Sequence, residues 1–176
     1  MLKKTGWWFT FNPSTSSIFS KIISEISNSY DNGDTFLPHL SFYCYVDTTL
    51  KEASEVAIQL ASKFKPFTVR TKQMSYDTPV HKTVFIETEI TPEMKTAFEY
   101  MEDKYKQDFV FKPHISLIYK TDLAISIRER LCKTIVYPEE ITIDGIAYYS
   151  PELGQESAAN FRNWPSPIIL KLGSEI

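Results

Sequence analysis

Apolar residues along the chain alternate between short strand-like runs and longer segments with helical spacing. The first half contains, in order, a strand over 7–11, a helix with isoleucines at 18, 22, 23 and 26, a loop over 29–38, a strand over 39–46, a helix after the capping pattern of Thr49 and Glu52, and a strand near 67–76. The second half contains a strand over 83–88, a helix that begins at Thr91 and Pro92, a strand over 114–119, a helix over about 124–135, and strands over 140–149 and 167–172. The same order of strands and helices therefore occurs twice.

This order predicts an internal duplication. About 30 residues separate Phe9 from His39, and about as many separate Phe85 from His114. Two copies are too few for a solenoid. We therefore expect one α+β domain over 1–176, built from repeats at about 7–76 and 83–149 plus the C-terminal strand 167–172. Each lobe should be a mainly antiparallel sheet with helices on its outer face, and a pseudo-two-fold axis should place the active site in a central groove.

Composition narrows the class of protein. The 176 residues suit one globular domain, and the 19 Lys and Arg against 22 Asp and Glu give a net charge of −3. This slightly negative net charge argues against binding to duplex DNA or long RNA, but it allows binding of a small phosphate-bearing partner. Cys44 and Cys132 are expected to be free thiols, although a single bond between them stays open. No signal peptide or membrane span is predicted, so we expect a cytoplasmic location. We also expect a monomer.

Two of the three histidines lie in matching contexts. His39 stands in Pro-His-Leu-Ser-Phe and His114 in Pro-His-Ile-Ser-Leu, each at the start of a predicted strand and at the same place in the repeat. Residues two apart in a strand point to one face, so each histidine shares a face with Ser41 or Ser116. A lone His-x-Ser is a weak signal, whereas two copies at equivalent positions predict a functional pair.

Two histidines and two hydroxyls on a groove floor suit phosphodiester hydrolysis. One imidazole, His39 or His114, activates water as a base, and the other protonates the leaving oxygen. The hydroxyls of Ser41 and Ser116 can donate to the non-bridging oxygens, where negative charge gathers. This scheme needs no metal or cofactor, and no His, Cys, Asp or Glu cluster has the spacing of a metal site.

The paired motifs and the duplicated halves resemble the 2H phosphoesterase superfamily over nearly the whole chain. The stretch Pro113, His114, Ser116 and Tyr119 is similar to the second motif of small cyclic nucleotide phosphodiesterases, and 2′-5′ RNA ligase-like proteins belong to the same superfamily. The resemblance implies that His39 and His114 are catalytic, that Ser41 and Ser116 bind phosphate, and that Tyr119 lines the substrate pocket. The first motif departs from this pattern, because Cys44 stands where Tyr119 stands in the second.

Three functions are compatible with these residues. The first is metal-independent hydrolysis of a cyclic phosphodiester, either a nucleoside 2′,3′-cyclic phosphate or ADP-ribose 1″,2″-cyclic phosphate, as the resemblance implies. The second is cleavage of 2′-5′ or 3′-5′ oligonucleotides or processing of RNA ends. The third is a non-catalytic module that binds nucleotides or RNA.

Several other residues lie outside the paired motifs and are expected to have mainly structural roles. The third histidine, His81, is expected in a surface loop, and the aromatic run 7–9 is expected in the core, although one ring could border the groove. Lys112 and Lys120 bracket the second motif and could supply positive potential. The segment 150–167 is either a flap over the groove or a plain connection.

Overall fold

Four α-helices and seven β-strands make up the computed structural model, which describes residues 2–108, 110–151, 155 and 157–174. The strands are β1 (Lys3–Phe11), β2 (His39–Thr48), β3 (Phe67–Ser75), β4 (Val84–Thr88), β5 (His114–Ile118), β6 (Glu140–Tyr149) and β7 (Ile168–Lys171). The helices are α1 (Pro13–Tyr30), α2 (Leu50–Lys63), α3 (Pro92–Tyr105) and α4 (Ile125–Thr134). Every strand and helix expected from the sequence is confirmed, with ends that differ by a few residues.

Side-chain caps explain where three of the helices begin. Asn12, Thr49 and Thr91 each accept a hydrogen bond from the backbone N–H three residues on. Proline follows the cap at the start of both α1 and α3, where its missing N–H costs nothing. The start of α4 has no side-chain cap, since Ala124 occupies that position.

All strand pairs are antiparallel and belong to one seven-stranded sheet. Its order is β1-β2-β5-β4-β3-β6-β7, and β1 also pairs with β6, so six strands close a circuit. Exchanging β1 with β4, β2 with β5 and β3 with β6 leaves this set of six pairings unchanged. The α+β fold is therefore as expected, but its strands form one continuous sheet instead of two separate ones. The repeat boundaries at about 7–76 and 83–149 stay a prediction.

The two faces of the sheet have different partners. One face carries Trp7, Phe9 and their neighbours into the main core, where α1 packs against β1 and β5 and α2 packs against β6. Trp8 points to the opposite face, in a separate cluster with Ala147 and Tyr149. The helices therefore cover one face, and the other is left for the histidine motifs. None of the helices in the described part of the chain has the length and apolarity of a bilayer span.

Two short 3-10 helices lie in stretches without sequence periodicity. One comprises Val80–Lys82, between β3 and β4. The other comprises Ala158–Asn163, between β6 and β7. They contact each other, and the first also contacts β5. They therefore lie over the same side of the sheet as the histidine motifs.

Candidate active site

The central strand pair brings the two histidine motifs together. β2 and β5 are antiparallel neighbours in which Leu40 lies opposite Ile115, and both of these residues are fully buried in the core. This register sets His39 opposite Ser116 and Ser41 opposite His114 on the other face of the sheet. All four predicted residues thus share one small area of one face.

Each histidine is anchored by the same backbone hydrogen bond. Nδ1 of His39 lies 2.7 Å from the carbonyl oxygen of Leu37, and Nδ1 of His114 lies 2.9 Å from that of Lys112. In both cases the partner is the backbone carbonyl of the residue two positions earlier. Because a carbonyl oxygen can only accept a hydrogen bond, Nδ1 carries the hydrogen and donates it. Nε2 is therefore the nitrogen left for proton transfer in both motifs.

Burial makes both imidazoles weak bases in this structure. Only 3% of His39 and 6% of His114 is exposed. Loss of solvation lowers the pKa of each ring from 6.5 to about 4, against the opposing effect of the carbonyl hydrogen bond. Each histidine is accordingly neutral near pH 7 in this structure.

His39 lies in an aromatic environment. Its ring stacks on the indole of Trp8, with centroids 3.9 Å apart and planes 16° apart. The hydroxyl of Tyr119 is 3.4 Å from Nε2 of His39, and the ring of Tyr119 stacks on Phe36 at 4.2 Å. Tyr119, expected to line the substrate pocket, is thus buried and reaches the histidine itself.

His114 has a different set of neighbours. The ring of Phe85 meets it nearly edge-on at 5.5 Å, and the ring of His81 lies 5.6 Å away. Its Nε2 is buried and has no hydrogen-bond partner among the described residues. An unpaired buried nitrogen of this kind is the position where a water or substrate oxygen would bind.

The two serines differ in what they offer a phosphate. Ser116 is buried and its hydroxyl donates to the carbonyl oxygen of His81 at 2.6 Å. A phosphate would have to displace this bond before Ser116 could donate to it. Ser41 is half-buried and lies beside Trp8 in the β1–β2 register. Phosphate contact by Ser41 and Ser116 stays a prediction.

A segment near the C-terminus covers His39. We refer to residues 155 and 157–167 as the strap; 152–154 and 156, also part of the expected 150–167 segment, lie outside the described residues. Phe161 packs against Phe36 and Tyr119, and Trp164 packs against Trp8. The described residues Phe161 and Trp164 therefore lie beside the groups that surround His39, and the choice between a flap and a plain connection stays a prediction.

An ion-pair cluster ties the strap to the loop that leads into β2. The guanidinium of Arg162 binds Asp34 and also binds the buried carboxylate of Asp31 at 2.8 Å. Lys120 lies 3.8 Å from Asp31 and 3.2 Å from Asp122. Lys120 is therefore paired in this structure, although it brackets the second motif as expected.

Two cavities flank the histidine pair. One of about 490 Å³ is lined by His39, Trp8, Phe36, Phe161, Arg162 and Trp164, among others; we term it the His39 cavity. Another of about 430 Å³ is lined by His114, Phe85, Lys72, Lys82, Lys112 and Glu87, among others; we term it the His114 cavity. No three His, Cys, Asp or Glu side chains are arranged to hold a metal ion within the described residues.

Sequence reasoning missed two contributors to the site. His81 was expected at the surface, but it is half-buried beside His114, and burial lowers its pKa. Trp8 was assigned chiefly to the core, yet it supports the ring of His39 on the site face. Strand alternation separates Trp8 from Trp7, but only the β1–β2 register reveals its partner. Cys44 and Cys132 are free thiols, and burial raises the pKa of both.

Solved structures share this fold over the full length of the chain. E. coli LigT complexed with phosphate is 13% identical, with 98% of this chain and 99% of that chain covered and a TM-score of 0.59. E. coli LigT complexed with 3′-AMP is 11% identical, with 99% and 100% covered and a TM-score of 0.59. TT0787 of Thermus thermophilus is 16% identical, with 96% and 94% covered and a TM-score of 0.55. No protein-family model and no curated protein sequence matches the chain. The chain therefore shares the fold of E. coli LigT and of TT0787 over its full length.

Proposed function

We propose that the protein hydrolyses a small phosphodiester by two-histidine acid–base catalysis, with a cyclic phosphodiester as the preferred substrate class. One observation carries the proposal: His39 and His114 lie on adjacent strands with identical Nδ1 anchors. That arrangement leaves two Nε2 atoms on the same face for one substrate. Paired imidazoles of this kind can act on the attacking and the leaving oxygen of one phosphorus.

The reaction then follows from proton balance. One neutral imidazole accepts a proton from water as the water oxygen bonds to phosphorus. The other, protonated imidazole donates its proton to the ribose oxygen as the bond between phosphorus and that oxygen breaks. The product is a phosphate monoester with a free neighbouring hydroxyl. Because the two histidines have exchanged protonation states, solvent must restore the original pair before the next turnover.

The entering anion raises the pKa of a histidine, which then takes up a proton from solvent. Both rings are neutral in the empty site because their pKa values lie near 4. A phosphodiester carries one negative charge, and an opposite charge within a few ångströms raises the pKa of a histidine. Substrate binding would thus protonate one imidazole only when it is needed.

Size and lining favour a small nucleotide. The His39 cavity of about 490 Å³ falls within the usual range for small-molecule sites and is walled by aromatic rings. LigT has been crystallised with 3′-AMP, ATP and NADP+. Those ligands belong to LigT, and they support a nucleotide as the substrate class here. Within the first function, nucleoside 2′,3′-cyclic phosphates and ADP-ribose 1″,2″-cyclic phosphate are both retained.

A linear oligonucleotide is the second candidate. Cavities border both histidines, so groups on each side of a linear phosphodiester would have room. This observation favours 2′-5′ or 3′-5′ oligonucleotide cleavage or RNA-end processing. The net charge of −3 favours short oligonucleotides within this class.

A substrate panel tests the proposal and separates the candidates. The purified protein is incubated in excess EDTA with the four 2′,3′-cyclic mononucleotides, ADP-ribose 1″,2″-cyclic phosphate, and short 2′-5′ and 3′-5′ oligomers, and the products are identified by chromatography. We expect a phosphate monoester from a cyclic substrate. Faster cleavage of a linear oligomer would favour the second candidate. Tight nucleotide binding without turnover on any substrate would contradict catalysis and indicate a binding module.

A further inference from the structure

The two histidines share their backbone anchors but not their ring environments. Nδ1 donates to the carbonyl two residues earlier in both, so this bond does not distinguish them. His39 lies flat against an indole, whereas His114 meets one ring edge-on and another at an angle. Any difference in their roles must therefore arise from the groups that surround the rings.

Trp8 presents its π face to His39 and is held in place from the other side. β1 lies between β2 and β6, and the indole stacks on Tyr149 at 4.1 Å as well as on His39 at 3.9 Å. Only 4% of Trp8 is exposed, and Trp164 of the strap closes over it at 5.7 Å. Because its ring stacks on both His39 and Tyr149, Trp8 reaches the His39 cavity without a free ring face on which a substrate base could stack.

A π face stabilises a cation but does much less for a neutral ring. Indole is the strongest aromatic partner for a cation, and the interaction grows when water is excluded. The remaining titratable groups around His39 are Tyr119, His114 and Arg162, and the guanidinium of Arg162 is bound to Asp31 and Asp34. The hydrogen bond to the backbone carbonyl favours the imidazolium form of both histidines. The stack with Trp8 is therefore the contact that favours the imidazolium form of His39 and has no counterpart at His114.

His114 lies near the side chains of several lysines. The charge of Lys82 disfavours a proton on its ring. Lys72 and Lys112 line the same cavity, together with the carboxylates of Asp77 and Glu87.

The acidic groups near His114 are separately engaged or exposed. The Glu87 carboxylate accepts hydrogen bonds from Ser75 and Gln73. Asp77 is exposed and accepts from the backbone N–H of Thr78. Glu87 lies opposite His114 in the β4–β5 register, so its negative charge opposes the charge of Lys82. The geometry of the surrounding rings is therefore what distinguishes His114 from His39.

We propose that Trp8 is a positioning residue that favours the protonated form of His39, so that His39 donates the proton to the leaving oxygen and His114 accepts the proton of the attacking water. This assignment rests on the proposed function. The effect of Trp8 on His39 can be measured without any turnover.

Fluorination of the indole tests the effect without opening the site. Truncation of Trp8 would admit water and change the solvation of His39, which would mask the π effect. Fluorinated tryptophans with one, two and four ring fluorines, incorporated at position 8 alone, keep the shape of the ring and weaken its π face. The same series at Trp7 is the matched control, because Trp7 lies on the opposite face and packs against Tyr105.

Histidine NMR titration of the free protein gives the first result. We expect the pKa of His39 to fall stepwise with fluorination at position 8, by about half a unit at full fluorination, and that of His114 to stay constant. Fluorination at position 7 should change neither value. An unchanged pKa of His39, or an equal fall for both histidines, would overturn the role of Trp8.

The pH dependence of kcat gives the second result. In a bell-shaped profile the alkaline limb reports the acid and the acidic limb reports the base. Fluorination at position 8 should move only the alkaline limb, toward lower pH. Movement of the acidic limb instead would reverse the assignment of acid and base. The NMR shift without turnover on any phosphodiester would overturn the proposed function but not the effect of Trp8 on His39.

Discussion

Burial of two neutral histidines makes the stability of the fold depend on pH. In the unfolded chain each imidazole regains its ordinary pKa of 6.5, whereas in the folded protein the pKa of His39 and of His114 is about 4. The unfolded state therefore binds more protons between these values. Stability is fully present above pH 6.5 and falls as the pH drops toward 4.

The size of this effect follows from the shift in pKa. A difference of about 2.5 units, at about 1.4 kcal/mol per unit, corresponds to about 3 kcal/mol for each histidine at pH 4. A domain of this size is stable by only about 5–15 kcal/mol in total. Loss of both contributions would therefore remove a large part of the free energy of unfolding.

Urea unfolding across pH measures this contribution. The free energy of unfolding is determined by tryptophan fluorescence from pH 4 to 7.5 for the wild type, His39→Gln and His114→Gln. Each variant loses a hydrogen bond at every pH, so the comparison uses the change with pH and not the absolute stability. We expect each variant to lose about 3 kcal/mol less than the wild type between pH 7 and pH 4. Parallel curves for the wild type and both variants would refute the burial of neutral imidazoles.

The remaining predictions concern the core, the buried side chain of Arg128 and the binding of an anion. Ile115→Ala, at the centre of the β2–β5 pair, should lower the free energy of unfolding by about 2–5 kcal/mol, whereas the exposed Val136→Ala should change it by less than about 0.5 kcal/mol, both measured in urea. Arg128→Met should lower the free energy of unfolding by about 3 kcal/mol or more in the same assay. The buried guanidinium donates to the backbone carbonyls of Leu123, Asp77 and Thr121, which would lose their donor. A decrease below about 1 kcal/mol would contradict that role. Binding of sulfate, which stands in for the phosphate and does not titrate in this pH range, should take up protons from the buffer at about pH 6.5. The binding enthalpy should then vary with the ionisation enthalpy of the buffer, and a buffer-independent enthalpy would contradict protonation of a histidine when an anion binds.

Local signals in the sequence were sufficient to predict the positions of the strands and helices. Caps such as Thr49 and Thr91 act on the next three residues, and apolar spacing reflects the face that each helix buries. The matching of His39 with His114 was also visible, because a duplicated motif occurs twice in one chain. These features depend on residues close together in sequence.

Contacts between distant segments were not readable from the sequence. The stack of Trp8 on His39 depends on the register of β1 against β2, which no local pattern specifies. The hydrogen bond from Ser116 to His81 joins β5 to a 3-10 turn that has no periodicity. The pairing of Arg162 with Asp31 spans 131 residues. Single charged residues of this kind do not indicate a partner until the fold is known.

The central claim is that His39 and His114 act together on one phosphodiester. The most direct measurement is kcat for the best substrate of the panel, in excess EDTA, for His39→Ala and His114→Ala, with circular dichroism as a check on folding. His81→Ala is the comparison, since it removes the one histidine outside the paired motifs. We predict that either motif variant loses at least about 10²–10⁴-fold in kcat and that His81→Ala loses less than about tenfold. A folded His39→Ala or His114→Ala variant with near-wild-type kcat would contradict the two-histidine mechanism.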